Sequence, residues 1–275
     1  MSMVGKEQGL LRRHAVGSYF VLTFAISWLG ALAVVAPRLL HGEPVPKFSG
    51  ILMFPVMLLG PAVSGILLTR VVDGGTGLRE LFSRMRRVQA GAWWYATLLI
   101  PPVLVLIVLL GLKTLVSPVY APNRFFVGVS FGIVAGFLEE IGWTGYAFPK
   151  MARTGNGLGA AIALGVLWGT WHVPVIDFLG TATPHGGYWL EYFLAFTAAM
   201  TAMRVLIAWT YANTKSVALA QLMHASSTGS LVVLSPGAVT ARQETVWYAV
   251  YAAALWLVVA LVAARYAPEL TRETA

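Results

Sequence analysis

Leu, Val, Ile, Ala and Phe run along this chain in blocks of roughly twenty, the length an α-helix needs to cross about 30 Å of hydrocarbon at 1.5 Å per residue. Eight such blocks predict membrane-spanning helices at 15–36, 51–72, 92–112, 125–148, 158–178, 189–211, 216–234 and 245–266. Between the second and third, residues 77–88 (GLRELFSRMRRV) place Leu78, Leu81, Phe82 and Met85 at i, i+3, i+4 and i+7, with arginines on the remaining face. That pattern predicts an interfacial amphipathic helix. The Gly/Pro stretches 43–50 and 180–188 read as loops outside the membrane, and no linker, repeat or low-complexity tract divides the chain. The expectation is an all-α, polytopic transmembrane helical bundle forming a single domain over 1–275.

Composition supports this. Hydrophobic residues make up 58% of the chain and charged residues 11%, with a mean hydropathy of +0.74, whereas a soluble domain carries about a quarter charged residues. If both ends are cytoplasmic, 14 of the 19 basic residues fall on that side, and only Arg38, Lys47, Lys113, Arg124 and Arg242 on the other. Positive charge gathers on the cytoplasmic side of membrane proteins, so the pattern predicts an N-in, C-in topology. The net charge of +8 then reads as anchoring to an anionic leaflet, and nucleic acid is not an expected partner because the arginines flank spans instead of interleaving with exposed aromatics. The absence of cysteine excludes disulfides, thiolate nucleophiles and Cys-ligated zinc. Arg12-Arg13 before an apolar run resembles a signal peptide, but about 22 apolar residues exceed an ordinary signal core, and a retained helix is expected.

The chemistry lies in the polar residues inside the spans. Glu139 and Glu140 fall in the fourth, where an ionised carboxylate costs roughly 2.5–3.5 kcal/mol near the bilayer centre. Of the five histidines, His172 and His224 fall within spans, whereas His14, His41 and His185 are expected at solvated or interfacial positions. Asp177 and Glu191 lie near span ends facing the outer loop and are expected to be exposed; Arg204, roughly seven residues inside the sixth span, is expected to snorkel to the cytoplasmic surface. Measured from the cytoplasmic ends, Glu139 lies about 15 Å deep, His172 about 21 Å and His224 about 13 Å, so three helices offer ionisable groups at overlapping depth. A carboxylate and an imidazole around one water can deliver a hydroxide-like nucleophile to a carbonyl, while a second imidazole stabilises the oxyanion or helps bind a metal. Intramembrane histidines also serve as plain helix-to-helix hydrogen-bonding residues. Adjacent carboxylates in low dielectric are expected to titrate as a coupled pair, one base and one neutral or hydrogen-bonded helper. Helical spacing puts Glu140 on a face with Thr144, Trp168 with His172, and His224 with Thr228. Gly132, Gly136, Gly142 and Gly145 thin the fourth helix for close approach or water entry, and Pro174 is expected to disturb the backbone near Thr170.

Three ordered motifs, Glu139-Glu140-Ile-Gly-Trp-Thr-Gly-Tyr, Leu167-Trp-Gly-Thr-Trp-His-Val-Pro and Leu222-Met-His-Ala-Ser-Ser-Thr, resemble those of the CPBP intramembrane protease family, which contains CaaX prenyl endopeptidases and bacteriocin-processing (Abi) proteins. The resemblance covers roughly 48–235, with a family-like catalytic core at about 125–235. It implies that Glu139 activates water, Glu140 supports it, His172 shares the general-base or metal role, and His224 contributes to the oxyanion site or metal. The family is described as metalloproteases, although metal-independent glutamate chemistry is also argued for it. If a metal binds, zinc on Glu139, His172 and His224 is the expected set, leaving one open position. Two positions depart from the pattern: Thr144 stands where the family has Arg, and Thr228 where it has Asn or Asp. Without that arginine Glu140 is expected to be protonated, and Thr228 can still donate one hydroxyl hydrogen bond.

The resulting expectation is an intramembrane endopeptidase, in a bacterial inner membrane, with its cavity opening towards the cytoplasm or the bilayer. Its substrate would be a peptide or protein, membrane-associated or prenylated among the options. Two other classes stay open: a catalytically silent immunity or peptide-binding scaffold, favoured by Thr144 and Thr228, and a proton-coupled transporter, for which no internal repeat or paired half-helices speak.

Overall fold

The computed structural model describes residues 13–153 and 156–271. Eleven α-helices follow one another among these residues: α1 (Ala15–Leu40), α2 (Phe48–Leu68), α3 (Gly74–Met85), α4 (Ala92–Ala96), α5 (Ile100–Leu115), α6 (Gly128–Gly142), α7 (Phe148–Ala152), α8 (Gly157–Trp171), α9 (Trp189–Thr214), α10 (Val217–Leu234) and α11 (Ala241–Thr271). Six stretches among the described residues are long and apolar enough to cross a membrane: Ala15–Leu40, Phe48–Met85, Ala92–Leu115, Gly186–Thr214, Val217–Leu234 and Ala241–Arg265. The protein is thus an integral, multi-pass helical bundle. Outward-facing apolar residues such as Leu32, Ile107, Ile133 and Leu257 are exposed, as a lipid-facing surface requires.

The fourth and fifth predicted spans differ in form from the other six. α6 ends at Gly142 and continues through a π-helical turn (Trp143–Ala147) into α7. α8 is a short apolar helix whose C-cap is His172, followed by a 3₁₀ segment, Val173–Phe178. Pro174 explains the early stop, since it lacks an N–H to continue the ladder and its ring crowds the preceding turn. The amphipathic helix also departs from its expected form. α3 starts at Gly74 and runs on from α2 through a π turn at Thr69–Asp73. Its Leu81 is buried against Ala62 and Ile141, and Arg84 donates to Tyr211 Oη (2.6 Å) and to the Gly145 carbonyl (3.0 Å), so the helix is bolted to the bundle.

Glycine sets the contact that matters most for the site. A Cβ on Gly132 would come within 2.4 Å of the Ala225 carbonyl oxygen, and one on Gly136 within 2.4 Å of the Gln221 carbonyl oxygen. Only bare backbone lets α6 and α10 approach this closely. The Gln221 amide crosses the same seam to the Phe137 carbonyl at 2.9 Å. That packing carries Glu139 and Glu140 on α6 to His224 on α10.

Two groups of loops close the bundle. At one end Lys47 Nζ reaches the Gly180 and Thr181 carbonyls (2.6 and 2.8 Å), Thr181 Oγ1 donates to the Pro236 carbonyl (2.7 Å), and Asn123 N donates to the Leu234 carbonyl (3.1 Å). At the other, Lys150 pairs with both Asp73 oxygens at 2.9 Å, and the Ser216 hydroxyl, which caps α10, donates to the Arg87 carbonyl. The 180–188 loop is more ordered than a solvated connection. Glu244 accepts from Thr181 N and Ala182 N (2.6 Å each), and buried His185 stacks on Tyr192 at 3.8 Å while contacting Asp177 (2.9 Å) and Glu244 (3.4 Å). His185 is therefore not solvated, and Asp177 is an ion-pair partner as well as partly exposed, because two carboxylates converge on one imidazole.

Candidate active site

The buried centre is assembled from α6, α8, α9 and α10. Glu139 is 2% exposed, and its Oε2 accepts two indole N–H groups, Trp168 at 2.7 Å and Trp143 at 3.1 Å. Trp143 lies one helical turn along from Glu139, whereas Trp168 arrives from α8. Oε1 remains, facing His224 Nε2 at 4.0 Å. This separation is too long for a direct hydrogen bond and suits one bridging water.

Glu140 faces a different set. Arg204 on α9 grips it in a bidentate pair, Nη1 to Oε2 at 2.7 Å and Nη2 to Oε1 at 2.9 Å. The Thr144 hydroxyl donates to Oε2, and His224 Nδ1 meets Oε1 at 2.7 Å. Both oxygens already accept from a guanidinium, so His224 Nδ1 is the donor and Nε2 is turned towards Glu139. The two adjacent glutamates thus do not act as one pair: Glu140 orients His224, and Glu139 faces the open space.

Arg204 overturns two expectations. It does not snorkel; it is fully buried, with its guanidinium 4.3 Å over the Trp168 ring. It also supplies the cation that Thr144 cannot, so Glu140 is ion-paired and the case for a protonated Glu140 falls. The sequence signal was available in its position about seven residues inside an apolar span, where a cation needs an anion or a path to water.

Trp168 connects the remaining groups. Its ring makes edge contacts with His172 (5.6 Å between centroids) and His224 (5.0 Å). His172 Nδ1 lies 2.8 Å from the Trp168 carbonyl, which can only accept, so Nδ1 carries the proton and Nε2 keeps its lone pair. Glu139, His172, His224 and Thr228 all line one cavity of about 520 Å³, walled by apolar side chains including Phe54, Phe131 and Phe196. Glu140 and Arg204 stand behind that wall.

The zinc set does not fit this donor arrangement. Among the described residues no three His, Cys, Asp or Glu side chains gather where they could share one ion. What the arrangement can do is hold and polarise a water between a carboxylate and an imidazole, in an apolar chamber where electrostatic effects are strong.

Residues 121–229, which include every residue of this centre, match the family model of the type II CAAX prenyl endopeptidase Rce1-like proteins. The chain is 25% identical to CAAX prenyl protease 2 of Methanococcus maripaludis over 220 residues, covering 75% of this chain and 80% of the relative. The three motifs stand in order within the matched residues, so in this region the chain is similar to the Rce1-like type II CAAX prenyl endopeptidases.

Proposed function

We propose that the protein is an intramembrane endopeptidase in which Glu139 is the general base. The observation that carries this reading is the 4.0 Å gap between Glu139 Oε1 and His224 Nε2 on the wall of an otherwise apolar chamber. A water held there loses a proton to Glu139 as its oxygen attacks the peptide carbonyl, and the same proton passes to the leaving amine. His172 Nε2, from the far side of Trp168, shares the base role, and Thr228 donates to the developing oxyanion. The paired indoles hold Glu139 in place, and Glu140, locked by Arg204, positions His224.

The apolar lining suits a membrane-embedded or lipidated peptide segment. A bacterial inner membrane is the proposed location, in keeping with the Ala/Val/Arg-rich composition. A silent scaffold was favoured by Thr144 and Thr228, and Arg204 answers the first. The test is cleavage of a quenched-fluorescent peptide library by detergent-purified protein, wild type against Glu139→Ala and His172→Ala, with and without a zinc chelator. Cleavage lost in both variants and retained with chelator is the expected result; cleavage unchanged in Glu139→Ala sinks the reading.

A further inference from the structure

Among the described residues, the chamber's lining reaches the loops at one end of the bundle. Lys47, Asn123, Thr181 and Gly237 line this mouth, each from the group of loops joined by the Lys47, Thr181 and Asn123 hydrogen bonds. Among the described residues, none that lines the chamber comes from the opposite end, 70–91, 145–153 or 211–216. Counting back from Gly128 and Leu234, Glu139 and His224 both lie roughly 15 Å below the mouth.

The two ends differ sharply in charge. Among the described side chains the closed end carries Arg13, Arg70, Arg79, Arg84, Arg86, Arg87, Lys150, Arg153, Lys215 and Arg265 against Asp73 and Glu80. The mouth end carries Arg38, Lys47, Lys113, Arg124 and Arg242 against Glu43, Asp177, Glu191 and Glu244. Removing Arg204 from the count, as its burial requires, leaves the bias intact at ten basic residues to five. The assignment does not depend on whether α6 and α8 each cross the bilayer. They occur between two long spans as a pair, and two crossings or none return the chain to the same side.

We infer that the chamber opens on the extracytoplasmic face, because the cationic end of a membrane protein is held in the cytoplasm. The substrates are then polypeptide segments displayed on, or inserted from, the outer side of the membrane, and a cytosolic polypeptide has no route to Glu139. For the chemistry the substrate undergoes, this rests on the endopeptidase reading; for orientation it does not. This reading differs from the expectation of a cavity opening towards the cytoplasm or the bilayer.

The lack of cysteine makes the test clean. Single thiols are introduced at the mouth, as Ala238→Cys and Glu43→Cys, and at the closed end, as Gln89→Cys, all at exposed loop positions. The variants are expressed in a bacterial inner membrane and treated with a membrane-impermeant maleimide after outer-membrane permeabilisation. The expected result is labelling of both mouth thiols in spheroplasts and of Gln89→Cys only after lysis. Labelling of Gln89→Cys in spheroplasts, or of neither mouth thiol until lysis, overturns the inference. The quenched-fluorescent peptide library, added outside sealed vesicles, should be cleaved by right-side-out and not by inside-out preparations; the reverse also overturns it. No cleavage in either orientation counts against the endopeptidase reading, and the labelling still decides the orientation.

Discussion

Replacing Arg204 with methionine removes the guanidinium that neutralises Glu140 while keeping an unbranched apolar stem of similar length. In the wild type both partners are fully buried, the two contacts are 2.7 and 2.9 Å, and the guanidinium also packs 4.3 Å from the Trp168 ring. Breaking a buried pair by removing one member leaves the other charge without compensation, which costs about 3–5 kcal/mol. Thr144 and His224 still donate to Glu140, which favours the lower half of that range. The assay is reversible unfolding in mixed micelles, run as a double-mutant cycle over Arg204→Met, Glu140→Leu and the double variant. The double variant is expected to recover more than half of the single-variant loss, because no unpaired charge remains. Its activity stays low, since His224 then has no carboxylate at Nδ1. A cost below about 1 kcal/mol for Arg204→Met, or strict additivity in the cycle, would refute the argument that these groups act as one buried unit.

Four further outcomes are expected. Trp168→Phe keeps the ring and loses the 2.7 Å indole bond to Glu139; a hydrogen bond to a charged group contributes about 1.5–3 kcal/mol, so kcat should fall roughly ten- to 150-fold with KM little changed in steady-state cleavage assays. Gly136→Ala puts a methyl 2.4 Å from the Gln221 carbonyl oxygen and forces α6 off α10, at about 1–3 kcal/mol for overpacking, seen as a lowered unfolding midpoint and lost cleavage. His185 sits outside the spans in a pH-sensitive contact. Burial alone would lower its pKa, but the hydrogen bonds and charges of Glu244 and Asp177 outweigh that and raise it. Its contribution to stability is therefore complete below about pH 6.5 and fades as pH rises through the higher folded value, so wild type should lose its advantage over His185→Asn between mildly acidic and alkaline pH in thermal melts. Thr228→Val should lower kcat and leave the unfolding midpoint nearly unchanged, because the side chain faces the chamber; an unaltered kcat would remove Thr228 from the oxyanion role.

Much of this was legible in the chain because membrane insertion leaves a coarse signature. Apolar runs of twenty announce helices whatever they pack against, and intramembrane Glu139, Glu140, His172 and His224 announce a site because lipid makes each costly. What stayed hidden was partner choice. Helical spacing tied Glu140 to Thr144, and that bond exists, but the dominant partner comes from 64 residues away on α9. Nothing local in the sixth span distinguishes an arginine that snorkels from one that reaches inward. The distinction follows from an anion on another helix, so it is tertiary in origin. The same limit applies to His185, whose loop of Gly, Thr and Pro reads as solvated until Glu244 folds over it. Arg204 also shows that Glu140 can be charge-compensated without a cation one turn along its own helix. Thr144 supplies no cation at i+4, and the positive charge reaches the same carboxylate from a different helix. A residue pattern records one solution, whereas Glu140 requires only that a cation and its donors be fixed in reach. Swapping the two, Thr144→Arg with Arg204→Thr, should therefore hold His224 in place and preserve cleavage, although Arg204→Thr alone abolishes it. If the swapped variant folds, as judged by its unfolding midpoint, and remains inactive, the cation's position on α9 is itself part of the site and the equivalence argued here fails.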